Sequence, residues 1–482
     1  MDFEAVIGLE VHAELATQSK MFCACPVVDS TSGQANRAVC PVCAGMPGTL
    51  PVINRQAVEL GLRVALALEC QVSPISIFAR KNYFYPDLPK GYQISQYEEP
   101  LARNGRLVIQ TSQGERVIRI RRVHLEEDTG KLTHVGEGAG AYSLLDLNRA
   151  GVPLLEIVTE PDVRSAEEAR VYAQALRSLL RYLEVNSGDM QKGVMRVEPN
   201  ISVRPIGSPV LGTRTEIKNL NSFRALERGS AYEIARQSEL LRAGGKVAQE
   251  TRGWDENKGV TVVQRSKEEA EDYRYFPEPD LPPLVVDPAW LERVRAGLPE
   301  LPAAKLRRFQ AQYGLTAYDA GVLIMEPAVA GYFEAVLRAA PQIAPKTAAN
   351  WISGDLFALL NQAGIGLEQA AVPAEALAEL LELVAEGRIN QATGKTVLAE
   401  MFTAGKRAGQ IVAERGLAQI SDSSAIAGLV REVLEANPGP VADFLAGKEQ
   451  LGKWLFGQVM RAAKGQANPQ VIQAELERQL KR

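Results

Sequence analysis

The chain lacks the features that mark a secreted, membrane-spanning or strongly basic protein. No apolar run approaches the roughly 20 residues needed to cross a bilayer. The N-terminus enters a strand-like segment without a charged and apolar leader. Net charge is −4, so any nucleic-acid contact must come from local basic patches and not from the overall field. We therefore expect a cytoplasmic protein without membrane contact.

The standard motifs for phosphate binding and nucleophilic catalysis are also missing. Gly394-Lys395-Thr396 looks like the end of a Walker A loop, but Ile389 stands where the first glycine is required. The segment 136–141 matches a loose dinucleotide pattern without following a convincing strand or opening a helix. No nucleophile elbow is visible. A nucleotide would have to be bound by acidic metal ligands and basic side chains on a sheet.

What is present divides the chain by composition. At 482 residues it is long enough for two to four domains. Up to about residue 290, alternating strands mix with Gly and Pro turns, whereas Ala, Leu and Glu with helical periodicity dominate from about Pro299. A further boundary lies between Gly405 and Ser424. The pattern predicts an α+β domain, an all-α middle domain and a small all-α tail, which we place at 1–292, 293–408 and 409–482.

The first predicted strand carries ionisable groups along one face. Between Val6 and Leu15 apolar and polar residues alternate, which puts Glu10, His12 and Glu14 in a row, because strand side chains have a period of two. Such a row can converge on a cation or a reacting phosphate. The alternative is an ordinary solvated strand face.

Four of the five cysteines cluster in sequence. Cys23 and Cys25 are followed, after fourteen intervening residues, by Cys40 and Cys43. In a reducing compartment two short Cys pairs indicate a zinc site more often than disulfides, since four thiolates complete a tetrahedral shell. Reduced structural thiols are the alternative. Cys70 follows a helical stretch and is expected to be buried and inert.

Two further predicted strands carry charged residues at informative places. The segment 116–128 is basic and ends in Glu126-Glu127-Asp128, as a strand that binds phosphate and Mg²⁺ would; a charge-protected edge strand is the alternative. Glu156 lies inside the apolar strand 151–158, where a carboxylate is costly unless it is paired or on a metal. A buried ion pair would explain it equally.

Three segments mix charged, polar and aromatic residues as the wall of an active site would: 80–96, 215–223 and 272–280. Basic residues interleaved with aromatic ones can hold phosphates and stack a base. Segment 80–96 could equally be a tightly packed surface loop, and its Pro and Gly content favours a fixed loop in either case.

Taken in order, these motifs resemble a known family over essentially the whole length: the B subunit of the heterotrimeric aspartyl/glutamyl-tRNA(Asn/Gln) amidotransferase. The resemblance rests on segments 6–12, 80–87, 92–96, 124–128, 146–149, 199–205, 217–223, 272–280, 457–460 and 464–469.

The resemblance implies a fold and a reaction. The first domain would be a cradle related to glutamine synthetase that binds ATP and Mg²⁺ and carries a zinc knuckle. It would phosphorylate the carboxylate of Glu or Asp mischarged on tRNA(Gln) or tRNA(Asn). Ammonia released from glutamine by the amidase, the A subunit, would travel through a channel and displace the phosphate. The small C subunit would tie the other two together, and the helical domain and YqeY-like tail would hold the tRNA.

The resemblance also implies roles for residues. His12, Glu127 and Glu156 would bind Mg²⁺ with Glu10 close by, and Glu126 is the alternative to Glu127 because adjacent strand residues face opposite ways. Lys81, with Lys90 and Tyr83, would line the ammonia path or steady the acyl phosphate. Arg196, Arg204, Lys218 and Arg274 would contact ATP phosphates. Cys23, Cys25, Cys40 and Cys43 match the zinc-bearing branch of the family, where zinc would be structural.

Two other functions stay open from the sequence. One is a non-catalytic tRNA-binding scaffold whose acids hold only a structural metal. The other is a self-contained ligase of the glutamine-synthetase type, although no glutaminase nucleophile arrangement is visible and the helical tail would have no role on a free amino acid. The tail carries nearly balanced charge, so its basic residues must gather on one face to bind RNA phosphates: Lys448, Lys453, Arg461, Lys464, Arg478, Lys481 and Arg482.

Overall fold

The computed structural model describes residues 2–29, 33–136, 138–266, 273–417, 423–463, 467 and 469–480. The chain divides into two compact units, Met1–Pro302 and Ala303–Arg482. The first is built on a large sheet and the second is helical, which confirms a mixed α and β protein with a helical C-terminal region. Several residues of the predicted motifs and tail lie outside the described residues: Asp272, Lys464, Gly465, Gln466, Asn468, Lys481 and Arg482.

In the part of the first unit that the structure describes, the strands form one large sheet and three small ones. The large sheet has nine strands in the order β14-β13-β12-β11-β1-β10-β7-β6-β2, and all its pairs are antiparallel except β12 with β13. The strands are β1 (Phe3–Glu14), β2 (Gln71–Val72), β3 (Ile75–Ser76), β4 (Ala79–Asn82), β5 (Tyr92–Ser95), β6 (Ala102–Thr111), β7 (Gly114–Glu127), β8 (Lys131–Val135), β9 (Tyr142–Asp146), β10 (Pro153–Thr159), β11 (Met195–Pro205), β12 (Thr215–Lys218), β13 (Glu250–Asp255), β14 (Val260–Ser266), β15 (Phe276–Pro277) and β16 (Leu284–Val285).

One face of the large sheet is the core of this unit. Ile7, Leu9, Val11 and Ala13 of β1 are buried, as their alternation predicts, and helices pack over them. A side-chain oxygen caps the N-terminus of each of the first three helices: Asn54, Ser165 and Ser222. The helices of this unit are α1 (Arg55–Ala67), α2 (Ala166–Tyr182), α3 (Phe223–Arg242) and α4 (Pro288–Ala296), with a 3-10 turn at Gly138–Gly140.

Among its described residues, the second unit has two separate apolar cores, one within residues 309–412 and one within 426–476. Leu377, Leu380 and Leu381 lie on the buried face of α10, in agreement with the helical periodicity predicted for this region. The helices are α5 (Pro302–Tyr313), α6 (Ala317–Ile324), α7 (Pro327–Ala339), α8 (Pro345–Asn350), α9 (Phe357–Ala363), α10 (Ala374–Ala385), α11 (Gln391–Ala404), α12 (Ala408–Arg415), α13 (Ser423–Ala436), α14 (Pro438–Leu445), α15 (Gln450–Ala462) and α16 (Pro469–Leu480), with a π-helical segment Trp351–Leu356 and a 3-10 turn Leu367–Gln369.

No single helix in the described ranges is long and apolar enough to span a membrane. The consecutive helices α6 and α7 have the length and composition of a membrane span only when taken together, and the pair is bent by 114°.

Candidate active site and metal centre

The polar face of the large sheet forms the floor of a cavity of about 890 Å³. Directly paired residues point to the same side of a sheet, and the register sets His12 opposite both Glu156 and Arg196, with His124 opposite Glu156. Four adjacent strands therefore contribute one row of ionisable groups. The lining residues are Glu10, His12, Lys81, Gln93, Ser95, Tyr97, Glu98, Arg122, His124, Glu126, Asp128, Leu154, Glu156, Arg196, Glu198, Asn200, Arg214, Glu216, Lys218, Thr251, Gln264, Tyr273, Arg274 and Tyr275.

Two histidines and two glutamates meet at the centre of this floor. His12 Nε2 lies 3.5 Å from Glu156 Oε2 and 3.7 Å from Glu126 Oε1. His124 Nε2 lies 3.2 Å from Glu156 Oε2 and 3.8 Å from Glu126 Oε2. Possible ligand atoms of His12, Glu126 and Glu156 all lie within 4.8 Å of one another, so this triad could hold a metal ion.

The charges in this cluster stabilise one another. Burial alone lowers the pKa of His12, but the hydrogen bond and charge of Glu156 outweigh it and raise that pKa to about 9. Burial likewise opposes ionisation of Glu126 and Glu156, yet the two histidines hold the pKa of both carboxyl groups below the usual range. With a pKa of about 9, the His12 ring is protonated at neutral pH and pairs with Glu156 as a cation.

Buried polar atoms in the cluster lack a protein partner. In the described residues the Nδ1 atoms of His12 and His124 and the Nε atom of Arg122 are buried and make no hydrogen bond. Such orphaned groups are rare in folded proteins and indicate that water, an ion or a ligand completes the site. Two carboxylates and an imidazole suit a divalent cation.

The structure does not bring Glu127, which we assigned to the metal, into the cluster. The Glu127 carboxylate forms an ion pair with Lys90 and accepts a hydrogen bond of 3.0 Å from the backbone amide of Ile94. Glu126 lies beside His12 and Glu156 instead, because it is two residues after His124 on β7 and therefore points to the same face of the sheet. The alternation of side chains along β7 predicts Glu126, and not Glu127, on this face once the pairing of β7 with β10 is known.

A second group of carboxylates lies on the same floor. Ligand atoms of Glu10, Glu198 and Glu216 lie within 4.8 Å of one another. Lys218 Nζ lies 3.2 Å from Glu198 and 3.4 Å from Glu216. Asn200 donates a hydrogen bond of 3.1 Å to Glu10. Burial and the charge of the neighbouring Glu156 raise the pKa of Glu10. The sequence patterns did not single out Glu198 and Glu216, although Glu198 alternates with Arg196 and Asn200 along β11.

The predicted phosphate-binding residues are divided between two places. Arg196, Lys218 and Arg274 line the cavity, with Arg196 Nη1 2.9 Å from Asp128 Oδ2. Arg204 does not belong to the cavity wall; its guanidinium pairs with Glu4 at 2.7 Å, further along β1 and β11.

The polar aromatic segments contribute side chains to the cavity wall. Lys81 is a wall residue, and its ammonium lies 5.0 Å from the ring centroid of Tyr273. Tyr97 and Tyr275 stack with centroids 4.2 Å apart. Burial lowers the pKa of Lys81, but the nearby Glu126 and Tyr275 outweigh it, so the pKa is raised and the side chain stays cationic.

The four clustered cysteines converge in a separate place. The Sγ atoms of Cys23, Cys25, Cys40 and Cys43 lie within 4.8 Å of one another, so the set could hold a metal such as zinc. A hydrogen bond from Cys23 lowers the pKa of the Cys43 thiol, whereas burial raises the pKa of Cys25 to about 11. Cys70 lies apart as a buried free thiol, so its predicted burial is confirmed.

Known proteins are similar in sequence to this chain along its whole length. Residues 5–292 match the family model described as the GatB/GatE catalytic domain, and residues 331–480 match the GatB domain. The chain is 56% identical over 480 residues to a protein of Moorella thermoacetica, covering all of both chains. It is 52% identical to one from Myxococcus xanthus, with 99% of each covered, and 50% identical to one from Thermodesulfovibrio yellowstonii, with 98% of each covered. All three are named as the B subunit of aspartyl/glutamyl-tRNA(Asn/Gln) amidotransferase.

This chain belongs to the GatB family. The resemblance inferred from the motifs is therefore confirmed, and with it the assignment to one subunit of a ligase-type amidotransferase. The cavity floor and the four cysteines both lie within the part that matches the GatB/GatE catalytic domain. The two cores of the helical unit fall mostly within the part that matches the GatB domain.

Proposed function

We propose that this GatB-family chain carries out the ATP-dependent amidation of Glu-tRNA(Gln), Asp-tRNA(Asn) or both. In the first step the γ-phosphoryl group of ATP passes to the side-chain carboxylate of the mischarged residue, giving an acyl phosphate and ADP. In the second, ammonia attacks the carbonyl carbon, phosphate leaves with the bonding pair, and a proton is lost to give the amide. The observation that carries the proposal is the cluster of His12, Glu126 and Glu156 in a cavity that is also lined by cationic side chains.

Phosphoryl transfer depends on positioning and charge neutralisation more than on covalent chemistry by the protein. His12, Glu126 and Glu156 would hold Mg²⁺, which when bound neutralises phosphate charge. Arg196, Lys218 and Arg274 provide fixed positive charge around the same floor. Lys81, buried and cationic beside Glu126, is placed to steady the acyl phosphate or to face incoming ammonia. Arg204, engaged with Glu4, is the weakest of the proposed phosphate contacts.

A neighbouring cavity supplies room for the nucleoside of ATP. It measures about 510 Å³ and shares Glu10, Asn200 and Arg214 with the larger cavity. Its wall includes the apolar residues Val6, Leu9, Val158, Pro161 and Leu211. Gly8 leaves part of this strand without a side chain, so a flat base can lie against the backbone. A nucleotide with its base here would direct its phosphates toward the acidic cluster.

The remaining parts of the proposal follow from family membership. The first unit would be a cradle of the glutamine-synthetase type, and the helical unit, including the tail, would bind the tRNA. Ammonia would reach the cavity through a channel from the glutamine-hydrolysing A subunit, held in a heterotrimer by the small C subunit. Zinc would occupy the four-cysteine cluster as a structural ion. A cytoplasmic location follows from a tRNA substrate used in protein synthesis.

A non-catalytic scaffold that binds tRNA is the competing function. The mutual pairing of the two histidines with Glu126 and Glu156 is compatible with a metal that only stabilises the sheet. In that case another member of the complex would have to supply the kinase step.

The deciding experiment is amide formation on Glu-tRNA(Gln) and Asp-tRNA(Asn) with ATP, Mg²⁺ and ammonium chloride. It is run with this chain alone and with the chain assembled with the A and C subunits. Ammonium bypasses the glutaminase, so the assay isolates the proposed steps. We expect ATP-dependent amidation that is lost in Glu156→Gln while glutamine hydrolysis by the complex continues. Full amidation by Glu156→Gln, or none by the wild-type complex on either tRNA, would leave the scaffold function.

A further inference from the structure

Lys20 is a fully enclosed charged residue next to the four-cysteine cluster. Its side chain is 0% exposed, and lysine is almost never buried to that degree unless it is paired. The Nζ atom donates to the carbonyl oxygen of Ala38 at 2.7 Å and to that of Leu147 at 3.2 Å. The third contact is with Cys43 Sγ at 3.6 Å. These contacts use all three N–H groups of the ammonium.

The carboxylate in this neighbourhood is paired with another lysine: Glu127 Oε2 would lie 3.9 Å from a Cβ added at Gly151, and Glu127 forms an ion pair with Lys90. Among the described residues, Lys20 forms no ion pair with an Asp or Glu side chain, and its contacts are the three above. A buried cation without a counter-charge is strongly unfavourable, because it loses its hydration and gains no opposite charge. Cys43, however, belongs to a set of four thiols whose sulfur atoms could hold one metal ion. Ligand cysteines bind as thiolates, so four of them around one Zn²⁺ leave two negative charges in excess.

The same lysine connects the cysteine cluster to the strand that carries Glu156. Leu147 lies in the turn that leads into β10. Met21, the next residue after Lys20, donates its amide to the carbonyl oxygen of Gly151 at 2.7 Å in that turn. A Cβ atom on Gly151 would lie 3.4 Å from Cys43 Cβ and 3.5 Å from Lys20 Cδ, so the two segments are in close contact.

We propose that Lys20 is the counter-ion of the four-cysteine zinc site. Its ammonium offsets the excess negative charge through Cys43 Sγ, and its bonds to Ala38 and Leu147 hold the cluster against the turn before β10. The proposal rests on zinc occupancy of this cluster, which metal analysis of the wild-type protein decides separately. Lys20 acts here as a positioning residue for the metal site.

The test compares zinc retention in the wild-type complex with that in Lys20→Met, Lys20→Gln and Lys20→Arg. Methionine removes charge and donors, glutamine removes only the charge while keeping N–H donors, and arginine keeps the charge. In competition with a chromogenic chelator, we expect the two neutral variants to bind zinc about 10- to 100-fold more weakly than wild type, the range typical of a lost partner of a metal ligand. Lys20→Arg should stay close to wild type. Lys258→Met, at an exposed lysine outside the cluster, is the matched control.

Thermal unfolding with and without zinc separates charge balance from simple hydrogen bonding. If Lys20 offsets the metal–thiolate charge, its loss lowers the Tm of the zinc-loaded protein and has a smaller effect on the zinc-stripped protein. Three results would overturn the proposal. These are equal losses of Tm in both forms, wild-type zinc retention in both neutral variants, and neutral variants that fold neither with nor without zinc. Any of them would make Lys20 a structural donor to two carbonyl groups. A wild-type protein without zinc would instead remove the premise.

Discussion

The Nε2 atom of His124 lies 3.2 Å from Oε2 of Glu156, its direct neighbour across the β7–β10 pair. On the other side of β10, His12 faces the same carboxylate at 3.5 Å. One buried glutamate is thus held between two rings from the adjacent strands. This arrangement fixes the carboxylate in the floor of the cavity.

Glu126 and Glu127 should respond differently to the same substitution. Glu126→Gln removes a proposed metal ligand and is expected to reduce ATP-dependent amidation at least about 100-fold. Its carboxylate also pairs with His12 and His124, so the Tm should fall as well. Glu127→Gln breaks a buried ion pair with Lys90 and should cost about 3 kcal/mol of unfolding free energy. Parallel amidation assays and denaturant titrations measure both. Loss of amidation in Glu127→Gln without loss of stability would return the metal role to Glu127.

Binding of a divalent cation should depend on the pH because of His12. Its pKa of about 9 lies above the unfolded value near 6.5, so pairing with Glu156 stabilises the metal-free fold fully below pH 6.5 and that contribution is lost as the pH rises to about 9. A metal ligand needs the neutral ring, so cation binding must displace the proton. We expect Mn²⁺ affinity to rise with pH between 7 and 9, by up to about tenfold per unit. Electron paramagnetic resonance titrations measure it, and an affinity as independent of pH as that of His12→Gln would contradict the assignment.

Gly8 should control nucleotide binding by its lack of a side chain. Gly8 lies in a regular strand, and an added Cβ would meet Pro161 at 3.9 Å, so the backbone tolerates a side chain at this position. A larger side chain would, however, occupy the cavity proposed for the nucleoside. Gly8→Val is expected to weaken ATP about 10- to 100-fold, equivalent to an overpacking cost of about 1–3 kcal/mol. Gly8→Ala should have a smaller effect. Fluorescent-nucleotide binding gives the affinities, with Mn²⁺ binding as a control that should not change. Equal ATP affinity in all three proteins would place the base elsewhere.

The four-cysteine cluster should determine zinc content. Cys40→Ser removes one ligand and is expected to lower zinc below one ion per chain and to reduce the Tm. Cys70→Ser changes a buried thiol outside the cluster and serves as the control, with zinc content unchanged. Inductively coupled plasma mass spectrometry measures the metal. A wild-type protein that contains no zinc would show that the cysteines are structural thiols.

Removal of the tail should weaken tRNA binding and spare ATP binding. Ile411 and Val412 pack in the core of residues 309–412, whereas the helices from Ser423 onward have a core of their own, so the truncation is best placed after Leu417. We expect tRNA affinity to fall at least about tenfold, since phosphate contacts dominate such binding. Filter binding and nucleotide titration on the same preparation measure both affinities. Wild-type tRNA affinity in the truncated chain would argue against an RNA-binding tail.

Local sequence patterns were sufficient to predict several elements of this protein and its family. A period of two gave the core face of β1 and the polar face that carries Glu10 and His12. The 3.6-residue period gave α10 and its buried leucines. The spacing of four cysteines pointed to a metal site, and ordered motifs along the whole chain identified the family. Each of these signals is contained in short stretches of sequence or in their order.

Tertiary structure alone decided which groups meet. The choice of Glu126 over Glu127 depends on how β7 pairs with β10, because a shift of one residue in register turns every side chain of a strand to the opposite face. Glu198 and Glu216 join Glu10 only because β11 lies between β1 and β12, and Arg204 is excluded from the cavity by its pairing with Glu4. The burial of Lys20 beside Cys43 likewise arises from chain segments distant in sequence, which a local pattern does not encode.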